Sequence, residues 1–168
     1  MQQARLLVRA GRYEQALKAY DALFPNGMPS AELQLEYLQA ESSLSERWES
    51  VKQGLEQLNA AYPGVPSFQL ALANHIRRRD AADPWILATY RQLALRSDIG
   101  TVAANAWLRA LDQQPISAEV AEQYAIVASY FPSDTAINRA NRNAQARWEL
   151  SRRCAKIPPI WPNYRGWR

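Results

Sequence analysis

Seven residues supply most of the side chains from which a binding or catalytic centre would have to be built. The stretch "NHIRRRD" sets Asn74, His75, Arg77, Arg78 and Arg79 close together, and Arg5 and Arg9 stand four apart near the start of the chain. Guanidinium groups bind carboxylates through forked, charge-assisted hydrogen bonds, so this set points to acidic side chains or a partner's carboxylate. The plainer reading is that cations near a helix C-terminus oppose its dipole. His75 is the sole histidine. A Ser–His–Asp triad or a His-ligated metal centre would have to be built around it, and no nucleophile elbow or metal-spaced cluster surrounds it. A glycine-rich phosphate loop is also missing. Asp and Glu read as solvated helix faces, although the separation of a glycosidase carboxylate pair is spatial and is not given by sequence. The expectation is a chain that is not an enzyme, with no cofactor and no metal. Its candidate binding residues are Arg5, Arg9, Asn74, His75, Arg77, Arg78 and Arg79.

The elements that would carry these residues repeat. On a ruler of 35 residues, Ala16, Val51, Ile86 and Ala121 align, as do Tyr20, Leu55, Tyr90 and Ala125, and then Leu23, Leu58, Leu93 and Ala128. The rows are four and three residues apart, which is the spacing of one helix face. Between them lie further apolar stripes: Leu33, Tyr37, Leu38 and Leu44; Leu72, Ala73 and Ile76; Val102, Ala106, Trp107, Ala110 and Leu111. Proline-bearing breaks such as "FPNGMPS", "YPGVPS", "RDAADP" and "FPSD" separate the stripes, because proline begins or ends a helix. Ser30, Ser45, Ser67 and Ser117 read as N-caps. The pattern predicts helix pairs at 2–10 with 12–24, 30–44 with 47–62, 66–79 with 83–96, and 99–113 with 117–131. A last helix starts near 135. The fold class expected is all-α: antiparallel helix pairs stacked as a right-handed superhelical solenoid, each pair burying its apolar face on its neighbours.

Composition narrows the partners. The formal net charge is +4, but Arg152, Arg153, Lys156, Arg165 and Arg168 lie in the last eighteen residues, which hold no acid. That leaves 15 basic against 16 acidic residues over 1–150. A nucleic-acid patch should lie along a folded face rather than in a tail, so no nucleic acid is expected. Cys154 is the only cysteine, which removes disulfides and thiolate metal sites from 1–150. No run approaches a membrane span, so no direct insertion is expected. The stretch "MQQARLLVRAGRYEQ" lacks the apolar run and small-residue cleavage site of a secretory signal, so either a cytosolic protein or a chain whose true N-terminus is missing is expected.

The period and residue types resemble the tetratricopeptide repeat. "GRYEQALKAYDALFP" matches it well through Gly11, Tyr13, Ala16 and Tyr20, and "RWESVKQGLEQLNAAYP" more loosely through Trp48, Val51, Leu55, Leu58 and Pro63. Read in order, "LF", "LQLEYL", the "YP" ending, "LALANHIRRRDAADP" and "AWLRALDQQPISAEVAEQYAIVASYFPSD" resemble the cellulose synthase operon protein C family over some 140 residues. That resemblance implies a piece of a long periplasmic scaffold preceding an outer-membrane β-barrel and needed for cellulose export. The implied partners are other proteins of a cellulose synthesis and export complex, with a glucan chain as a further candidate. The resemblance to the repeat alone leaves another reading, a tetratricopeptide adaptor for a cytosolic protein partner. First helices line the concave face of such arrays, which is where the seven candidate residues would fall.

Residues 1–150 are expected to form the repeat array, about four helix pairs and the start of a fifth. The last eighteen residues, "SRRCAKIPPIWPNYRGWR", are expected to be an irregular tail. One reading is a Trp/Arg-rich recognition tail for carbohydrate, membrane surface or nucleic acid, in which Trp161 and Trp167 would offer sugar rings flat faces. With suitable codons, however, reading "IPPIWPNYRGWR" one base earlier yields NPTYLAKLQGLA, a proline-led helix that resembles the family's continuation. The reading frame is therefore expected to be lost soon after Leu150.

Overall fold

The computed structural model describes residues 1–155. The tail reading from residue 156 on, Trp161 and Trp167 included, lies outside them. Among the described residues there are nine α-helices and no strand. They are α1 (Gln2–Arg9), α2 (Tyr13–Leu23), α3 (Ala31–Glu41), α4 (Trp48–Ala61), α5 (Pro66–Arg77), α6 (Pro84–Ala94), α7 (Gly100–Asp112), α8 (Ala118–Tyr130) and α9 (Thr135–Cys154). A 3₁₀ turn, Ser45–Arg47, leads into α4. The helix at the end continues through Cys154, four residues past Leu150.

Helix starts follow proline and side-chain oxygen. Ser30 and Ser117 cap α3 and α8, accepting from the N–H groups of Leu33 and Val120. Ser45 and Ser67 do not cap. Pro66 occupies the first turn of α5, which puts Ser67 inside the helix and the cap at Val65. Ser45 instead opens the 3₁₀ turn. Asp83 and Asp134 cap α6 and α9. Each carboxylate accepts from two backbone N–H groups at the start of α6 or α9. Gly11 (φ 71°) and Gly64 (φ 84°) hold turns in the left-handed region, where a Cβ is strained.

The chain divides into two compact units, Met1–Ala106 and the residues from Trp107 on. In the first, α1 packs on α2, α2 on α3, α3 on α4, α4 on α5 and α5 on α6, and α3 also touches α5. One core cluster unites Leu38, Val51, Leu55, Leu58, Phe68, Ala71 and Leu72. Burying a side chain such as Leu55 contributes about 1.5–3 kcal/mol. Asn59 stitches α4 to α5, its Nδ2 donating to the carbonyls of Leu55 and Phe68 at 2.9 and 3.1 Å. In the second unit α8 packs on α9. Gln145 Nε2 donates to the Ala121 carbonyl at 2.8 Å across that pair.

The all-α class of serially stacked, tetratricopeptide-like helix pairs is thus the one observed. Two positions of the ruler depart from it. Leu23, the last residue of α2, is 48% exposed, and Ala125 is exposed while its neighbour Tyr124 is buried. Val102, at the head of its stripe, is also exposed.

Gly54 marks a close approach of α3 and α4. A Cβ there would meet Leu38 Cδ2 at 2.7 Å, and Leu38 is itself buried. On an open helix face Gly→Ala would stabilise by up to about 1 kcal/mol. Here overpacking outweighs that gain, and Gly54→Ala is expected to lower the unfolding free energy by about 1 kcal/mol in a urea titration.

Candidate functional site

Five of the seven candidate residues border clefts in two places, and Arg77 and Arg79 line neither. Arg5 and Arg9 lie on α1, where with Gln2 and Leu6 they border a shallow cleft of 330 Å³. Arg5 is already engaged: its Nε and Nη2 grip Glu36 of α3 as a fork, at 2.8 and 2.9 Å. The Tyr20 hydroxyl of α2 donates to the same carboxylate. Arg5's hydrogen bonds hold the Glu36 carboxyl below the usual range against its partial burial. Burial, reinforced by the bond to Glu36, pushes the Tyr20 hydroxyl up to about 12. This triad ties three successive helices together, so Arg5 commits its fork inside the fold.

The second place is a cleft of 280 Å³ where the C-terminal ends of α3 and α5 lie side by side. Leu38, Leu55 and Ala71 give it an apolar floor, and Gln39, Ser42, Asn74, His75 and Arg78 give it a polar wall. Both main walls come from first helices of their pairs. Asn74 is fixed by α6: its Oδ1 accepts from the Tyr90 hydroxyl at 2.9 Å, which leaves the amide NH2 as its spare donor end. Tyr90 is fully buried, and burial pushes its hydroxyl up to about 12, with the neighbouring Arg77 opposing the rise. Arg78 Nη1 donates to the carbonyl of Ser42, the residue that ends α3. That bond has the dipole-opposing character expected of a cation at a helix C-terminus.

His75 is only 2% exposed. Its ring stacks on Trp48, the first residue of α4, with centroids 5.1 Å apart and planes 23° apart. Its Nε2 lies 2.8 Å from the Trp48 carbonyl and acts as the donor, which makes the neutral imidazole's Nδ1 the acceptor. Nδ1 is buried without a protein partner among the described residues. Burial lowers the His75 pKa, and the charges of Arg78 and Arg79 add to this against the Trp48 carbonyl. Arg79 is not a wall of the cleft. It lies over the Trp48 ring, 4.0 Å from the centroid, and pairs with Glu49 at 3.7 Å.

Sequence reasoning thus named three wall residues, Asn74, His75 and Arg78, and missed Gln39 and Ser42. Ser42 contributes through its carbonyl, which no residue type announces. Glu36 had a visible signal, an acid set within the apolar "LQLEYL". Among the described residues no group of three or more His, Cys, Asp or Glu is placed to hold a metal ion. None of the described helices is long and apolar enough to cross a membrane.

Serial helix pairs, buried tyrosines on the 35-residue ruler and a polar cleft on the first helices define a tetratricopeptide-like repeat protein. No family model matches the chain. It is 37% identical over 111 residues to cellulose synthase operon protein C of Xanthomonas axonopodis pv. citri, and 36% identical over 121 residues to that of Salmonella typhimurium. These alignments cover 66% and 70% of this chain but only 7% and 10% of the relatives. A crystal structure of the flexible tandem repeat domain from the C component of bacterial cellulose synthase superposes with a TM-score of 0.65 and 29% identity. It covers 87% of this chain and 60% of that one. The chain belongs to the cellulose synthase operon protein C family, as a homologue of part of its tandem-repeat region. It spans about a tenth or less of the length of the curated relatives it matches.

Proposed function

We propose that this chain is a non-enzymatic scaffold segment serving bacterial cellulose biosynthesis and secretion. In this reading it works in the periplasm and presents its first-helix faces to protein components of the synthesis and export machinery. The observation that carries it is the identity of 37% and 36% to cellulose synthase operon protein C, over a stretch built wholly of helix pairs. Stacked pairs offer successive, firmly packed helix faces, which suit docking better than turnover. A polar cleft backed by one buried neutral histidine offers hydrogen bonds and no activated nucleophile.

A segment swap tests the reading. In the Salmonella typhimurium relative, the matching segment is replaced by this chain or by a Gly/Ser linker of equal length. Secreted cellulose is measured as glucose released by cellulase. The chain is expected to retain most of the secretion and the linker to lose at least nine-tenths of it. Undiminished secretion with the linker overturns the reading. The purified chain is expected to release no reducing sugar from cello-oligosaccharides, and measurable release would contradict the non-enzymatic part.

A further inference from the structure

We propose that the cleft between α3 and α5 seats a carboxylate from an acidic segment of a protein partner, with Asn74, Arg78 and Gln39 as its donors. The inference rests on the scaffold reading above and adds the chemistry of the partner to it. The polar lining is made of the Gln39 and Asn74 amides, the Arg78 guanidinium, the His75 imidazole and the Ser42 hydroxyl, which already donates to the Gln39 carbonyl, with no Asp or Glu. A guanidinium carries five N–H donors. Arg78 uses one nitrogen on the Ser42 carbonyl and keeps the rest. The Tyr90 hydroxyl occupies Asn74 Oδ1, so the polar end that Asn74 has left can only donate. Gln39 is exposed on α3, facing the same cleft. An acceptor-only group with four lone-pair sites satisfies the donors of Gln39, Asn74 and Arg78, and that group is a carboxylate.

Charge agrees. Arg77, Arg78 and Arg79 are consecutive, and of the neighbouring acids Glu41 and Glu49 pair with Arg47 and Arg79, while Asp80 accepts from the Ala82 N–H and keeps its charge. The carbonyl ends of α3 and α5 point partial negative charge at the same region, so an anion needs these guanidiniums in order to bind. A glucan strand is the weaker fit. Pyranose rings are held against flat aromatic faces, and the cleft has no Trp, Tyr or Phe in its lining. Trp48, the nearest aromatic the site offers, is stacked on by His75 and overlain by Arg79. The apolar floor of Leu38, Leu55 and Ala71 suits the methylene stem of a glutamate.

The test uses the full chain with three probes: a fluorescein-labelled hexaglutamate peptide, its hexaglutamine counterpart, and cellohexaose. Fluorescence anisotropy reads the peptides, and amide chemical shifts of the ¹⁵N-labelled protein locate all three. Hexaglutamate is expected to bind saturably in low salt, to weaken as salt rises, and to shift the Gln39, Asn74 and Arg78 signals. Hexaglutamine should bind at least tenfold more weakly. Asn74→Ala and Arg78→Gln should each weaken hexaglutamate at least tenfold, and Gln39→Ala, an exposed site that leaves the fold intact, about threefold. Lys18→Ala, the loss of an exposed cation on α2, should change affinity less than twofold. The proposal fails if hexaglutamate does not saturate below millimolar concentration, if Lys18→Ala costs as much as the cleft variants, or if cellohexaose alone shifts the cleft signals. A scaffold that still supports secretion in the segment swap while failing here sinks the carboxylate site only. Loss of both sinks the scaffold reading as well.

Discussion

Trp107→Ala is expected to destabilise the protein by about 3–5 kcal/mol, the range for emptying a buried indole site. Trp107 is 0% exposed and is the largest of the fully buried side chains among the described residues. Its ring sits 6.4 Å from that of Tyr130, centroid to centroid, tilted by 56°. It stands in the second half of α7, near the equally buried Ala110 and Leu111. For a chain of this length the loss corresponds to a fall in melting temperature of roughly 10–15 °C, readable by far-UV circular dichroism. Trp107→Phe should recover more than half of that. The indole Nε1 is buried without a partner among the described residues, so removing it lifts a desolvation cost that the native side chain carries. If alanine lowered stability by less than about 1 kcal/mol, the packing attributed to this ring would be wrong.

The second large effect is at His75. His75→Ala removes the stack on Trp48 and the hydrogen bond to its carbonyl, and opens the wall of the α3–α5 cleft. A loss of about 2–4 kcal/mol is expected in urea unfolding. The same residue gives the fold a pH dependence. Its folded-state pKa lies below the ordinary 6.5 because burial disfavours the imidazolium, with Arg78 and Arg79 adding repulsion and the Trp48 carbonyl and Glu49 opposing. An unfolded chain therefore binds the proton more readily. The stability linked to His75 is complete above pH 6.5 and is lost as pH falls through the folded-state value. The melting temperature should drop between pH 7.5 and pH 5, and His75→Gln should flatten that window. No other histidine titrates there. The downward-shifted carboxylates Glu32, Glu36, Asp98 and Glu119 all act below 4.5. A wild-type curve with no slope over this range would remove His75 from the buried, neutral role given to it.

Second helices were the legible part of the sequence, because their buried residues obey one ruler. Ala16, Tyr20, Val51, Leu55, Ile86, Tyr90 and Leu93 are all buried. In the fourth pair Ala121 and Ala128 keep the 35-residue step and are buried, and only the middle row departs, with Tyr124, 34 residues after Tyr90, buried and Ala125 exposed. Leu23 fails for a different reason: at the last residue of α2 no further turn of helix covers it. Caps were half legible. Serine at a break is a fair signal, but proline fixes the first turn absolutely, and so the residue before Pro84, Asp83, becomes the cap of α6. The binding residues were grouped by nearness in sequence, which brought Arg77 and Arg79 into the set. In the fold one full turn at the end of α5 matters instead, placing Asn74 and Arg78 on the same wall while Arg79 turns to Trp48. Gln39 and Ser42 reach that wall from a helix more than thirty residues earlier, a juxtaposition that only stacking creates.

In the first unit each hairpin rests on the one immediately before or after it in the chain. Nothing near Met1 waits for a partner near Ala106. Such a polypeptide acquires its shape progressively, every completed hairpin serving as a ledge for the next, so its ordering keeps pace with synthesis or threading rather than following it.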